Sequence, residues 1–333
     1  MMGIGYPEEA GGAGGDLSFV LAAGAVATVM ALRPLGMVRL LTRFGIWAAL
    51  AAVAYLFVGV LREPLPQVQE GGAQSFWSAV DIVIALPVSW FPLAADYTRH
   101  VRTPRTAFLG TAGGYGIATL AMFSLGVLAL SAYGAVGLDV VDALLAAPFG
   151  LLAVMVLVTV EVDEAFANIY SGAVSTQNLS ARLDRRVLAV VVGTVATLLA
   201  LSLDVVAYEP FLFLLGAVFV PLAGVFLVAY YAMPAGSWDV SEQAPARPAL
   251  LLPWVAGFVS YQLTVPTYFF ATGAGWTTWW TARQADLGIS PTHGLSASLV
   301  SLTVASLLPT ALVLPQALRA HRAARAGAAT AAS

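Results

Sequence analysis

DIVIALPVSWFPLAADYTR, residues 81–99, is apolar enough to lie in a lipid bilayer, yet it carries prolines at 87 and 92 on either side of Ser89 and Trp90, with Asp96 following. A helix in lipid must satisfy its own backbone, because no water is there to do it. Pro87 lacks the N–H that would meet the carbonyl of Val83, and Pro92 lacks the one for Val88. Such a break is tolerated where it lines a cavity or is buried in protein. A proline kink in an otherwise ordinary spanning helix is the plainer alternative.

The rest of the chain places this stretch in a membrane protein. Hydrophobic residues make up 59% of the sequence and charged residues 10%, against roughly a quarter charged in soluble domains. Apolar runs near the ~20 residues needed to cross a bilayer recur along its length. The net charge of −3 is uninformative beside the placement of the charges. The chain has no cysteine, which excludes a disulfide framework, a thiolate nucleophile and a Cys-based metal site. Hydropathy predicts nine spanning helices, at about 17–32, 38–61, 76–98, 106–133, 148–178, 187–207, 210–232, 249–271 and 293–317. Between 272 and 292, Trp276, Trp279 and Trp280 on an amphipathic stretch suit a helix lying at the membrane interface. GTAGGYG at 110–116 opens the fourth span with small residues that allow close packing, and Gly216, Pro221 and Gly224 punctuate the seventh. No nucleic-acid signature is present.

Every one of the fifteen basic residues is an arginine, and thirteen fall on one side of this topology: in the loops holding Arg33, Arg99, Arg182 and Arg247 and in the tail holding Arg319, Arg322 and Arg325. Only Arg62 and Arg283 fall on the other. The positive-inside rule makes the arginine side cytoplasmic. Three regions follow: residues 1–16 as an extracellular loop-like N-terminus, 17–317 as the membrane domain, and 318–333 as a basic cytoplasmic tail. Nine helices with the C-terminus inside put the N-terminus outside, with no positive n-region or apolar h-region ahead of Asp16. A chain that starts outside in mid-loop is expected when an odd number of N-terminal helices is missing. The alternative is a true nine-helix protein with an external N-terminus.

A second polar helix stands at 148–178. Glu161, Glu164, Asn168, Ser171 and Ser175 recur at spacings of three and four, a stripe down one face, with Asp163 and Tyr170 beside it. Each ionisable group within a bilayer costs roughly 2.5–3.5 kcal/mol on insertion scales, so three carboxylates within four residues call for a cation, protons or donors on neighbouring helices. The alternative is that 161–164 lies wet near a helix end. The Asn168 amide offers donor and acceptor together, suited to the edge of a planar polar ligand or to a bond between helices.

Three blocks, PVSWFPLAADYTRHVRTPRTAFLG, DEAFANIYSGAVSTQNLSARLDRR and YEPFLFLLGAVFVPLAGVFLVAYY, resemble the nucleobase:cation symporter-1 family, and in particular its hydroxymethylpyrimidine and cytosine permease-like members. The likeness runs over nearly all of 17–317. It implies an all-α polytopic membrane protein with a leucine-transporter-type inverted-repeat fold, of which this chain would hold the fourth to twelfth helices. The span 76–98 would be the family's broken sixth helix and 148–178 its eighth. In the family, the base lies between aromatic side chains and is bonded by backbone of the sixth helix and by an amide of the eighth. The resemblance therefore points to Ser89, Trp90 and Asn168 for substrate, with Pro87 at the usual aromatic position and Trp90 offset from it. Where the family places small hydroxyl residues for sodium, Val162 and Asp163 stand here. Asp163, with Glu161 and Glu164, would bind sodium through hard oxygen or carry a proton instead. The family's first and third helices complete both sites.

The expected function is thus secondary active symport of a pyrimidine-like base such as cytosine or hydroxymethylpyrimidine, coupled to Na+ or H+ and needing no cofactor. Its broken span would form the substrate site near mid-membrane. The alternative is a truncated, non-transporting remnant or assembly subunit of such a permease. An intramembrane enzyme is not expected: neither a GxGD element nor HExxH occurs, and His100, His293 and His321 lie in loops or the tail. The sequence leaves oligomeric state open.

Overall fold

The computed structural model describes residues 13–33, 41–64, 73–98, 101–133, 149–179, 182–202, 208–232, 247–267, 274–289 and 294–308, with single positions at 145 and 311. No strand occurs among them. The helices are α1 Ala13–Leu32, α2 Ile46–Val60, α3 Ala73–Ser89, α4 Ala94–Thr98, α5 Pro104–Leu109, α6 Gly116–Tyr133, α7 Gly150–Leu179, α8 Arg185–Ser202, α9 Tyr208–Ala232, α10 Leu251–Thr264, α11 Ala274–Asp286 and α12 Ala297–Leu308. Widened π turns at Leu41–Gly45 and Gly110–Tyr115 lead into α2 and α6.

Among the described residues, four segments are long and apolar enough to cross a membrane: Arg43–Val60, Pro104–Ala129, Arg185–Ser202 and Phe211–Tyr231. Leu17–Leu32, Phe76–Ser89 and Ala297–Leu308 are apolar but shorter. The 30-residue α7 is long enough, at about 45 Å for 1.5 Å per residue. Its acidic cluster is what keeps it out of the apolar set. Each of the nine expected spans contains a helix among the described residues, and four of these helices are long and apolar enough to cross a membrane.

The chain divides into two units, Met1–Gln69 with Leu93–Val205, and Glu70–Pro92 with Val206–Ser333. In the first, α1 packs on α7 and α8, and α2 packs on α6 and α7. The α1–α8 contact is built from one motif used twice. GAVAT at 24–28 and GTVAT at 193–197 set Gly24 against Thr197 and Gly193 against Thr28. Each threonine hydroxyl donates to the carbonyl of the glycine one turn back in its own helix, at 2.7 Å in both cases. The hydroxyl protons are thereby satisfied and the glycines leave room for the methyl groups, the small-residue route to close helix contact in lipid. An apolar cluster of Ala52, Leu56, Val60, Leu125, Ala129 and Ala153 joins α2, α6 and α7. Arg185, at the start of α8, donates to the Ala31 carbonyl at the end of α1 (3.0 Å), a cation meeting the negative end of a helix. The end of α1 and the start of α8 thus lie at one end of this unit.

In the second unit α9 is central, packed on α3 and α10. Gly257 of α10 gives room to Pro221 of α9 and Ala305 of α12, and Gly224 gives room to Leu302 and Ser306. Pro221 cannot donate within α9, and close by the Trp254 indole N–H reaches the Val218 carbonyl at 2.9 Å. Gln284 of α11 donates to the carbonyls of Leu263 and Thr264 (2.9 and 3.1 Å), tying the tryptophan-bearing helix to the end of α10.

Several boundaries differ from expectation. α1 starts at Ala13, so 13–16 are helical and not loop. α10 stops at Thr264, well short of 271. Pro266 drives Val265 into an extended conformation (φ −134°, ψ 104°), and the Gln262 side chain folds back onto the Thr267 N–H at 2.8 Å. The glycines of 110–116 were expected to pack closely. Instead a Cβ added at Gly110, Gly113, Gly114 or Gly116 would meet open space among the described residues. Residues 1–12 and the tail at 318–333 lie outside the described residues.

Candidate functional site

The broken segment is where α3 gives way to α4. After Ser89 the backbone changes from four-residue to three-residue bonding. The Trp90 N–H goes to the Pro87 carbonyl (3.2 Å) and the Phe91 N–H to the Val88 carbonyl (3.0 Å). The Leu86 carbonyl, which Trp90 would meet in a continuous helix, is taken by the Ser89 hydroxyl at 2.6 Å. So the carbonyl that Pro92 was expected to free at Val88 is satisfied by Phe91. The deficit moves forward: among the described residues no backbone bond reaches the carbonyls of Ser89, Phe91 or Pro92. The Asp96 N–H restarts the ladder on Leu93 at 2.9 Å. Phe91 is anchored edge-to-face on Phe226, ring centroids 5.5 Å apart.

The break does not fall at the middle of the segment. Seventeen residues of α3 precede it and five of α4 follow. It also coincides with the boundary of the two units, between Pro92 and Leu93. Ser89 and Trp90 therefore belong to the second unit, whereas Asn168, Glu161, Asp163 and Glu164 belong to the first.

In the first unit α7 carries the polar stripe. Asn168 and Ser175 are exposed, Glu161, Asp163 and Glu164 are half-buried, and Ser171 is buried. The Ser171 hydroxyl donates to Asp96 Oδ2 at 2.6 Å, which ties α4 to α7 one turn past Asn168. Sequence reading used Asp96 only as a landmark, because its partner lies 75 residues away. Glu161 Oε2 is buried and unbonded. The Arg185 guanidinium lies over the Tyr170 ring, 5.5 Å from its centroid. Among the described residues no three His, Asp or Glu side chains converge as a metal site. A sodium ion at Asp163 would need oxygens beyond these carboxylates.

A family of permeases for cytosine/purines, uracil, thiamine and allantoin matches residues 20–248, about two thirds of the chain. The chain belongs to this family. It is a multi-pass membrane permease and not an enzyme. The match takes in the broken segment and α7, and ends before α10, whereas the sequence likeness was read as far as 317. No curated protein and no solved structure matches the chain.

Proposed function

We propose that this permease is a cation-coupled symporter for a pyrimidine-like base of the size and polarity of cytosine or hydroxymethylpyrimidine. The observation that carries the reading is the broken turn. Its carbonyls at Ser89, Phe91 and Pro92 have no backbone donor among the described residues, and within a bilayer such groups each cost several kcal/mol unless water or a ligand meets them. An amino-substituted pyrimidine presents ring and exocyclic N–H groups that would do so. Asn168 supplies an exposed amide able to donate and accept in one plane. Ser89 contributes lone pairs only, since its proton is committed to Leu86. Trp90 supplies aromatic surface beside Pro87. Asp163, Glu161 and Glu164 handle the coupling ion, sodium or proton. The C-terminus is cytoplasmic, as the arginine distribution implies, and a reporter fused there reads its side directly.

Uptake of labelled cytosine and hydroxymethylpyrimidine by cells expressing the chain tests the proposal, with sodium replaced in one arm and the proton gradient collapsed in another. The expected result is saturable uptake that excess unlabelled base competes and that one of the two ion manipulations abolishes. Uptake no greater than that of vector-only cells would favour the non-transporting reading.

A further inference from the structure

Asp81, Ala85 and Ser89 follow one another at four-residue intervals along one face of α3. Asp81 is 2% exposed, and among the described residues no arginine forms an ion pair with it. Three donors from the start of α12 meet it instead. The Ser296 hydroxyl gives a 2.6 Å bond to Oδ1, the Ser298 N–H a 2.9 Å bond to Oδ1, and the Ala297 N–H a 2.9 Å bond to Oδ2. Ser296 also caps the helix, its Oγ accepting from the Leu299 N–H at 3.1 Å. A carboxylate seated on a helix N-terminus meets both the free amides and the positive end of the dipole. The same dipole opposes a cation there, and the carboxylate is already occupied, so a coupling role is disfavoured. One turn further along, Ala85 is fully buried against Gly216, where the buried Tyr261 hydroxyl also stands. The face of α3 that ends in Ser89 is therefore fixed at two successive levels.

We propose that Asp81 is a positioning residue of the permease: anchored on the first turn of α12, it sets the height and rotation of α3 and so the direction in which the broken turn offers its carbonyls. α3 runs helical from Asp81 to Ser89 even though Pro87 leaves the Val83 carbonyl without its usual donor, and Ala85 is packed between them, so a displacement at Asp81 is carried toward Ser89. Only the final step, that the turn meets cargo, rests on the proposed transport function.

The chain contains no cysteine, so Ser89→Cys introduces a single thiol at the turn. Its labelling rate by a small water-soluble maleimide is measured in membranes holding the full chain. Asp81→Ala in that background is expected to change the rate several-fold in protein that still elutes as one folded species. Gly24→Ala, which perturbs only the α1–α8 contact, is expected to leave it unchanged. Should Asp81→Ala fail to fold, Ser296→Ala removes the shortest bond, together with the cap on Leu299, while leaving the Ala297 and Ser298 amides on Asp81, and shifts the rate in the same sense. A rate indifferent to the Asp81 and Ser296 changes, or equally sensitive to Gly24→Ala, would overturn the proposal. So would an Asp81→Asn permease with altered ion requirement but unchanged KM and labelling. A labelling response in the Ser89→Cys chain, where the chain with Ser89 intact takes up no base, would leave the positioning role standing and remove the transport reading alone.

Discussion

Ser171 and Asn168 sit on the same helix one turn apart, and their surroundings assign them opposite kinds of importance. Ser171 is buried and donates to Asp96 at 2.6 Å. Hydrogen bonds between membrane helices average ~0.6 kcal/mol, whereas bonds to charged groups reach ~1.5–3 kcal/mol. A half-buried carboxylate acceptor places this bond between the two. Ser171→Ala should therefore destabilise the protein by about 1–2 kcal/mol, read as a lowered melting temperature of the detergent-solubilised permease. Asn168 is exposed, and surface substitutions usually stay within about ±0.5 kcal/mol. Asn168→Ala should leave melting unchanged and abolish or sharply weaken base uptake. A variant that melts early and transports normally would reverse the assignment.

At the scale of the element, the paired Gly/Thr contact between α1 and α8 gives the sharpest test. A methyl at Gly24 would run into Thr197 Oγ1, and one at Gly193 into Thr28 Oγ1. Overpacking of this kind costs typically ~1–3 kcal/mol. Gly24→Ala should lower the melting temperature, and Thr197→Ala in the same chain should restore much of the loss. A double-mutant cycle that proved additive would mean that the two helices do not meet there. The positions of the helices were legible in the sequence because hydropathy sets them, and the break near Ser89 was legible because proline cannot donate. What the sequence hid was where the freed valences go. Ser89 takes the Leu86 carbonyl and Phe91 takes that of Val88, so the unbonded carbonyls lie further on than the prolines alone imply. The end of α10 was misplaced because hydropathy continues through Val265, while Pro266 forbids that residue a helical conformation. The stripe on α7 could be read from its period. The Asp96 and Ser171 pairing could not, because nothing local in either segment points to the other.

For the whole molecule the question is how transport is powered, and the acidic cluster of α7 gives the means to ask it. One elementary charge moving through 100 mV yields ~2.3 kcal/mol, which sustains accumulation of about fifty-fold at 1.36 kcal/mol per tenfold. A permease without a coupled ion would reach no gradient for a neutral base, yet it would still exchange base across the membrane. Asp163 is half-buried and stands between the acidic neighbours Glu161 and Glu164 on α7; one carboxylate oxygen of Glu161 is buried and unbonded. Under the proposed coupling, removing the Asp163 charge would take away a ligand or a proton acceptor without changing Asn168 or Ser89. Asp163→Asn should therefore reduce the steady-state accumulation ratio from tens-fold toward one while base-for-base exchange continues with similar KM. Glu161→Gln, which removes one like charge from a half-buried acidic cluster, should raise the melting temperature and shift the ion dependence less. The measurement is the plateau of labelled uptake set beside the rate of efflux into excess unlabelled base. If accumulation persisted undiminished in Asp163→Asn, the coupling ion would have to be held elsewhere, and the carboxylates of α7 would be a solvated helix face and nothing more.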